Sequence, residues 1–131
     1  RVTARGRLRD TGVDGQVGMI FDYPHAPAVL APSMEAKSGN VAQIAGTEGC
    51  ITIDGVFYSP TTYRVTLMDG TVIELDGTVD NGFQYEAAAL ARNVADGRAE
   101  SDLLPWSEIL AVMEIMDDVR AKIGVVFPNE V

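Results

Sequence analysis

Histidine and cysteine, two residue types that often carry nucleophilic or acid–base catalysis, are scarce in this sequence. It contains one histidine, His25, and one cysteine, Cys50. A Ser–His–Asp arrangement would need His25 as its base, but this histidine lies between two prolines, in a segment typical of an exposed turn. No basic residue flanks Cys50, which favours a buried strand thiol over a reactive one. The sequence therefore assigns no catalytic residue.

Patterns that bind phosphate or metal are not found either. The glycine run from Gly12 to Gly18 has the wrong spacing for a dinucleotide-binding fingerprint, and it opens a predicted strand instead of a helix. The acidic residues Glu114, Asp117 and Asp118 share a predicted helix face without a histidine, so a solvated face is favoured over a metal site. We predict no cofactor-binding and no metal-binding residue in this chain.

The arginines at the start of the chain, Arg1, Arg5, Arg7 and Arg9, stand out in a protein with 19 acidic and 10 basic residues. In a strand, alternation puts Arg5, Arg7 and Arg9 on one side, where charges protect an edge strand from stray pairing. A contact with an anion or phosphate is the alternative. The net charge of −9 would repel nucleic acid on average.

The strongest candidate for a binding site is an aromatic loop between two predicted strands, Val56-Phe57-Tyr58-Ser59-Pro60. Such a loop can close the end of a sheet with its own side chains. It can also form the wall of a pocket, because pockets are lined by aromatic groups together with a few polar ones. Both interpretations stay open on these residues alone.

The elements that must position this loop are strands first and helices last. Asp69-Gly70 predicts a hairpin with a type I′ turn. Alternation and turn signals predict strands at Val2–Leu8, Val17–Tyr23, Val29–Glu35, Asn40–Ala45, Cys50–Ile53, Tyr63–Met68 and Thr71–Leu75.

Two helices are predicted in the last third of the chain. Asn81 and Gln84 have the spacing of a capping box, and Gly97 marks the end of that first helix. The second helix is predicted to begin near Trp106 and to end before Gly124. Its apolar stripe consists of Ile109, Val112, Met113, Met116, Val119 and Ile123.

This order of elements predicts an α+β fold, with a large, mostly antiparallel open sheet and the two C-terminal helices covering one face. Val17, Met19, Phe21 and Tyr23 share one strand face, but alternation does not say whether that face or its opposite meets the helices. Exposed apolar patches usually mark an interface, and two-fold symmetry is the commonest closed arrangement. We therefore predict a homo-oligomer, a dimer, formed through the open sheet face.

Several short segments carry a resemblance to a known enzyme family. In chain order they are Gly46-Thr47-Glu48-Gly49, Tyr85-Glu86-Ala87, Gly97, Glu100-Ser101, Pro105, Val119-Arg120, Ile123-Gly124 and Phe127-Pro128. Their order resembles the C-terminal domain of the glucose-fructose oxidoreductase / inositol dehydrogenase (Gfo/Idh/MocA) family. Within it, the chain is most similar to the trans-dihydrodiol / D-xylose dehydrogenase branch.

The resemblance implies an NAD(P)-dependent oxidoreductase that acts on a sugar or a cyclic diol. Residues 1–131 would be a single C-terminal domain for substrate binding and oligomerisation, without the N-terminal Rossmann domain. The family's catalytic lysine, aspartate and histidine match no position here, so NAD or NADP is implied for the full-length enzyme and the isolated chain is predicted to be inactive. By its place in the family's aromatic-Pro loop, Tyr58, together with Phe57, would border the substrate.

The sequence begins at Arg1, without an initiator methionine and without a signal-like apolar segment. We therefore expect a domain from a longer protein. A stand-alone small binding or scaffold domain without catalytic activity is the alternative. The single Cys50 suits a reducing cytoplasm. No apolar run approaches the ~18 residues of a membrane helix.

Overall fold

The computed structural model describes residues 1–128; the last positions of the predicted domain, 129–131, lie outside the described residues. Each predicted strand and helix overlaps an observed one, and the α+β class is confirmed. The elements are β1 (Val2–Leu8), β2 (Asp14–Asp22), β3 (Pro27–Leu30), β4 (Ala42–Ala45), β5 (Gly49–Ile53), β6 (Thr62–Leu67), β7 (Val72–Asp76), α1 (Phe83–Ala95) and α2 (Trp106–Ile123).

The strands pair antiparallel throughout, but they form two sheets where the sequence predicted one. One sheet has the order β1-β2-β3 and the other β4-β5-β6-β7. The strand predicted to reach Glu35 ends at Leu30, because Pro32 has no N–H to continue the ladder. Beyond it, a single bridge between Gln16 and Ser33 remains. The chain divides into two compact units, the first combining Arg1–Lys37 with the chain from Glu100 onward and the second comprising Ser38–Ala99.

In the first unit, α2 packs on one face of the three-stranded sheet. Across the β1–β2 ladder, Ala4 faces Met19 and Gly6 faces Val17. Gly6 lets the helix come close, because a Cβ at that position would lie 3.0 Å from the Cβ of Ile123. The face that carries Val17 and Met19 therefore meets the helix. The buried residues of this core are Ala4, Val17 and Val119, surrounded by Val2, Met19, Ile115 and Ile123.

In the second unit, the four-stranded sheet has one apolar and one mostly polar face. The register of its three ladders puts these apolar side chains on the same face: Ala42, Ile44, Ile51, Ile53, Tyr63, Val65, Leu67, Ile73 and Leu75. The opposite face carries residues such as Gln43, Thr52, Arg64 and Glu74. Helix α1 belongs to this unit, and none of its residues is buried.

Two local predictions need correction. The β6–β7 hairpin forms as predicted, but its turn is not type I′, because Gly70 has a positive φ of 87° and Asp69 does not. The capping box is not formed either: the N-cap of α1 is Gly82, without a side-chain cap bond. Asn81 Oδ1 instead accepts a hydrogen bond from the N–H of Phe83 (3.1 Å). The predicted glycine stops do hold, since Gly97 and Gly124 have φ values of 66° and 81°.

Candidate functional site

The aromatic loop joins β5 to β6, and its two rings contact each other. Phe57 and Tyr58 meet edge to face, with ring centroids 5.3 Å apart and an angle of 79° between the ring planes. This geometry is worth about 0.5–1.5 kcal/mol beyond area burial. The rings remain accessible, with Phe57 44% and Tyr58 71% exposed. The two residues that were predicted to border the substrate thus form one aromatic pair that is exposed to solvent.

Backbone contacts anchor the loop that carries these rings. The N–H of Phe57 donates to the carbonyl of Asn40 (2.9 Å), and the N–H of Ser59 donates to the carbonyl of Val56 (2.9 Å). A Cβ at Gly55 would clash with the carbonyl oxygen of Gly39, so only glycine permits this close approach. The loop backbone is therefore fixed against the chain that precedes β4.

The two ends of the loop are joined by a pair of residues that the sequence analysis did not single out. Thr62 Oγ1 donates to Asp54 Oδ2 (2.7 Å), and the N–H of Asp54 donates to the carbonyl of Thr62 (3.0 Å). Both side chains are partly buried, where hydrogen bonds are less exposed to competition from water. In the sequence, only their positions at the two ends of the aromatic segment could have indicated this hydrogen bond.

A cavity of about 240 Å³ opens beside Asp54 and Thr62, and charged residues are among those that line it. Arg64 Nε and Glu74 Oε1 form an ion pair across its wall (3.0 Å). The pKa of Asp76, another lining residue, lies below its ordinary value, first because the hydroxyl of Thr78 donates to the carboxylate and then because its backbone N–H does. The cavity combines carboxylates with a guanidinium, which are groups that can exchange hydrogen bonds with the hydroxyls of a polyol.

A larger cleft of about 600 Å³ lies within the first unit, between α2 and the strands β2 and β3. At its edge, Arg120 forms an ion pair with Asp117 (2.8 Å) and lies over the ring of Phe127, 4.2 Å from its centroid. The lining is mainly apolar and includes Met19, Phe21, Tyr23, Leu30, Val112 and Met116. Because Arg120 is already bound to Asp117 and Phe127, this cleft is better suited to apolar binding than to catalysis.

The remaining sequence candidates are not brought together. His25 is exposed in the turn between β2 and β3, and Cys50, predicted to be buried, is half-buried on β5. On α2, Asp118 pairs with Lys122. In residues 1–128, no group of three or more His, Cys, Asp or Glu side chains could hold a metal ion. Neither α1 nor α2, the helices of these described residues, has the length and hydrophobicity of a membrane-spanning segment.

The described residues do not fit a nicotinamide dinucleotide. Such cofactors place their pyrophosphate on an open helix N-terminus. In α2 that position is taken by an internal anion, because the N–H of Trp106 donates to the carboxylate of Glu100 (2.7 Å). In α1 the N–H of Phe83 already donates to Asn81. The glycine run between β1 and β2 leads into a strand, where no helix dipole is available.

Comparison with known proteins gives one consistent result. The chain is similar to proteins named trans-1,2-dihydrobenzene-1,2-diol dehydrogenase: 31% identical over 97% of the chain to that of Xenopus tropicalis, 29% over 99% to that of Bos taurus and 28% over 99% to that of Homo sapiens. It spans 41% of the length of each. No protein-family model matches the sequence. These matches confirm the resemblance found in the sequence and are consistent with a C-terminal domain of this dehydrogenase family.

Proposed function

We propose that this chain, which is similar to proteins named trans-1,2-dihydrobenzene-1,2-diol dehydrogenase, is the C-terminal domain of an NAD(P)-dependent oxidoreductase of the glucose-fructose oxidoreductase / inositol dehydrogenase type that acts on a cyclic diol or a sugar. The observation that carries this proposal is the extent of the match, which covers 97–99% of this chain but 41% of each relative. We propose that a nucleotide-binding domain elsewhere in the protein holds the cofactor. The nicotinamide then accepts or donates the hydride, and this chain positions the substrate.

In this proposal, the aromatic loop is the chain's part of the substrate pocket. Tyr58 supplies an apolar ring with a hydroxyl at its edge, and Phe57 supports it from the side. Three features favour this role over closure of a sheet end: the high exposure of Tyr58, the fixed loop backbone and the Asp54–Thr62 hydrogen bond at the ends of the loop. A cyclic diol or sugar suits such a wall because its ring stacks on an aromatic face and its hydroxyls need polar partners.

The second role that we propose is assembly of two copies. One face of the three-stranded sheet packs against α2, and its other face carries Arg5 and Arg7. The better candidate for an apolar interface is therefore the apolar face of the four-stranded sheet. Isologous pairing of that face would remove a contiguous apolar surface from water. A cytoplasmic location fits the free thiol of Cys50, and we include it in the proposal.

The proposal is tested by comparing the isolated 131-residue chain with the full-length protein that contains it. We expect the full-length protein to reduce NAD⁺ or NADP⁺ with a cyclic diol or a sugar. The chain alone should show neither turnover nor calorimetrically measurable NAD(P)H binding, because its helix N-termini are occupied from within. Micromolar NAD(P)H binding by the isolated chain would contradict the assignment. A full-length protein without any nucleotide-binding domain would favour the stand-alone binding or scaffold domain.

A further inference from the structure

A basic concavity lies on the three-stranded sheet, on the face opposite α2. Across the ladder, Arg5 of β1 faces Gly18 and Arg7 faces Gln16. The chain after β3 forms the other wall, and it is joined to β2 by the bridge between Gln16 and Ser33. These residues border an open depression of about 440 Å³. This volume lies entirely within the first unit.

The charges around this concavity do not balance. Arg7 Nη2 lies 2.9 Å from Glu35 Oε2, and Arg9 Nη1 lies 3.2 Å from Glu35 Oε1. One carboxylate, with its side chain only 19% exposed, thus serves two guanidinium groups. Within residues 1–128, Arg5 forms no ion pair and no side-chain hydrogen bond. Positive charge is therefore in local excess, in a protein whose net charge is −9.

The surroundings of Arg5 supply both room and further donors. A Cβ at Gly18 would meet nothing within 4 Å, so the space across from Arg5 is open. Ser33 Oγ already accepts two hydrogen bonds, from the N–H groups of Glu35 (3.1 Å) and Ala36 (3.0 Å), which leaves its own hydrogen to donate. The side-chain amide of Gln16 adds two donors. The concavity thus gathers donors and one unpaired guanidinium.

We propose that this concavity binds a small oxyanion, a phosphate group either free or carried by a small metabolite, with Arg5 as the principal contact. A guanidinium binds two oxygens of a phosphate at once, and Ser33 and Gln16 can donate to the others. If the arginines only protected an edge strand, charges on β1 would be enough. The hydrogen-bond donors opposite them have no part in that role and favour an anion site. The overall negative charge repels large polyanions, so the site selects a ligand small enough to enter.

The test is an NMR titration of the 131-residue chain with inorganic phosphate, against sodium chloride at matched ionic strength. We expect saturable shifts at the side chain of Arg5 and the amide of Gly18. Arg5→Gln should weaken binding about tenfold or more, the loss of one charge-assisted contact. Arg64→Gln is the matched control, because Arg64 is also a strand arginine but is paired with Glu74; it should leave the titration unchanged.

A second variant keeps the test independent of Arg5. Gly18→Val fills the open space without a backbone clash, and it should abolish saturation while the circular dichroism spectrum is retained. A parallel titration with glycerol phosphate distinguishes the source: equal affinity indicates recognition of the phosphate group alone, and tighter binding indicates a phosphorylated metabolite. Chemical-shift changes that do not saturate would overturn the proposal, and so would an equal loss of phosphate affinity in Arg5→Gln and Arg64→Gln. Either result would indicate a nonspecific effect of ionic strength.

Discussion

The carboxylate of Glu100 accepts a hydrogen bond of 2.7 Å from the backbone N–H of Trp106, the first residue of α2. That N–H has no partner inside the helix, and negative charge is favourable at this end of the helix dipole. The N-cap position itself is Pro105, which makes no side-chain cap bond. Glu100 therefore caps the helix although it does not occupy the N-cap position. Glu100 is part of Glu100-Ser101, one of the segments that carry the family resemblance, so this segment has a structural role.

Removal of this cap should destabilise the first unit. We expect Glu100→Ala to lower the free energy of unfolding by about 1 kcal/mol, the usual worth of a helix cap. The measurement is urea unfolding followed by the fluorescence of Trp106, the only tryptophan in the chain. Glu114→Ala, which removes a carboxylate from the middle of the same helix, is the control. An equal loss of stability in both variants would contradict a capping role.

The turns at the two ends of β7 should respond to acid. The pKa of Asp69 lies below its ordinary value, first because the backbone N–H of Thr71 donates to the carboxylate, and that of Asp76 is lowered first by the hydroxyl of Thr78. A carboxylate whose pKa is lowered on folding stabilises the fold above its unfolded pKa of about 3.9. That contribution is lost as the pH falls through the lower, folded pKa.

An NMR titration of the side-chain carboxyl carbons checks this. Thr78→Val removes the first cause of the Asp76 shift, so the pKa of Asp76 should rise toward its ordinary value while that of Asp69 stays the same. An unchanged Asp76 pKa in Thr78→Val would show that the hydroxyl is not the cause. Parallel movement of both groups would indicate a change in the whole hairpin.

The sequence predicted the position of the elements better than their assembly. Strand alternation and glycine helix stops are set by residues close together in the chain. For this reason β1 has its predicted span, and α2 ends at Ile123, directly before Gly124. Assembly depends on distant pairs: the contact between Gly6 and Ile123 decides which sheet face meets α2, and no local pattern encodes it. The break between the two sheets did have a local signal, since Pro32 lies within the strand that was predicted to continue to Glu35.

The candidate sites divide in the same way. Phe57 and Tyr58 are adjacent in the chain and could be proposed from the sequence. The Asp54–Thr62 bond that joins the ends of their loop could not, because it forms only when β5 and β6 pair. Glu35 is a further case: it satisfies two arginines at the start of the chain from 26 and 28 positions away. Only the structure shows that Arg5 is left over.

The proposed role of Tyr58 can be tested in the full-length oxidoreductase that we propose. If its ring forms a wall of the substrate pocket, Tyr58→Ala should lower kcat/KM up to about tenfold, as expected for one lost ring contact. Because the side chain is mostly exposed, thermal stability should stay nearly unchanged. Tyr58→Phe separates the ring from its hydroxyl. Unchanged kinetics of Tyr58→Ala with both cyclic diols and sugars would reject the assignment.

The proposed dimer gives a prediction with a closely matched control on β7. Ile73 and Val72 are adjacent β-branched residues with similar exposure, 46% and 52%. Ile73 lies on the apolar face of the four-stranded sheet, opposite Val65, and Val72 lies on the other face. Ile73→Lys would place a charge in the proposed interface, where burial without a partner is costly. Val72→Lys adds the same charge outside it.

Light scattering at micromolar concentration measures the outcome. We expect the wild-type chain and Val72→Lys to have twice the 14.0 kDa mass of one chain, and Ile73→Lys to have the mass of one. Each lysine makes the net charge of −9 less negative by one, so a difference between the variants reflects the face and not overall repulsion. That repulsion is itself weak at physiological salt, because exposed charges more than about 8 Å apart are largely screened. A wild-type mass of one chain that does not rise with concentration would refute the dimer, and equal masses of the two variants would refute this face as its interface.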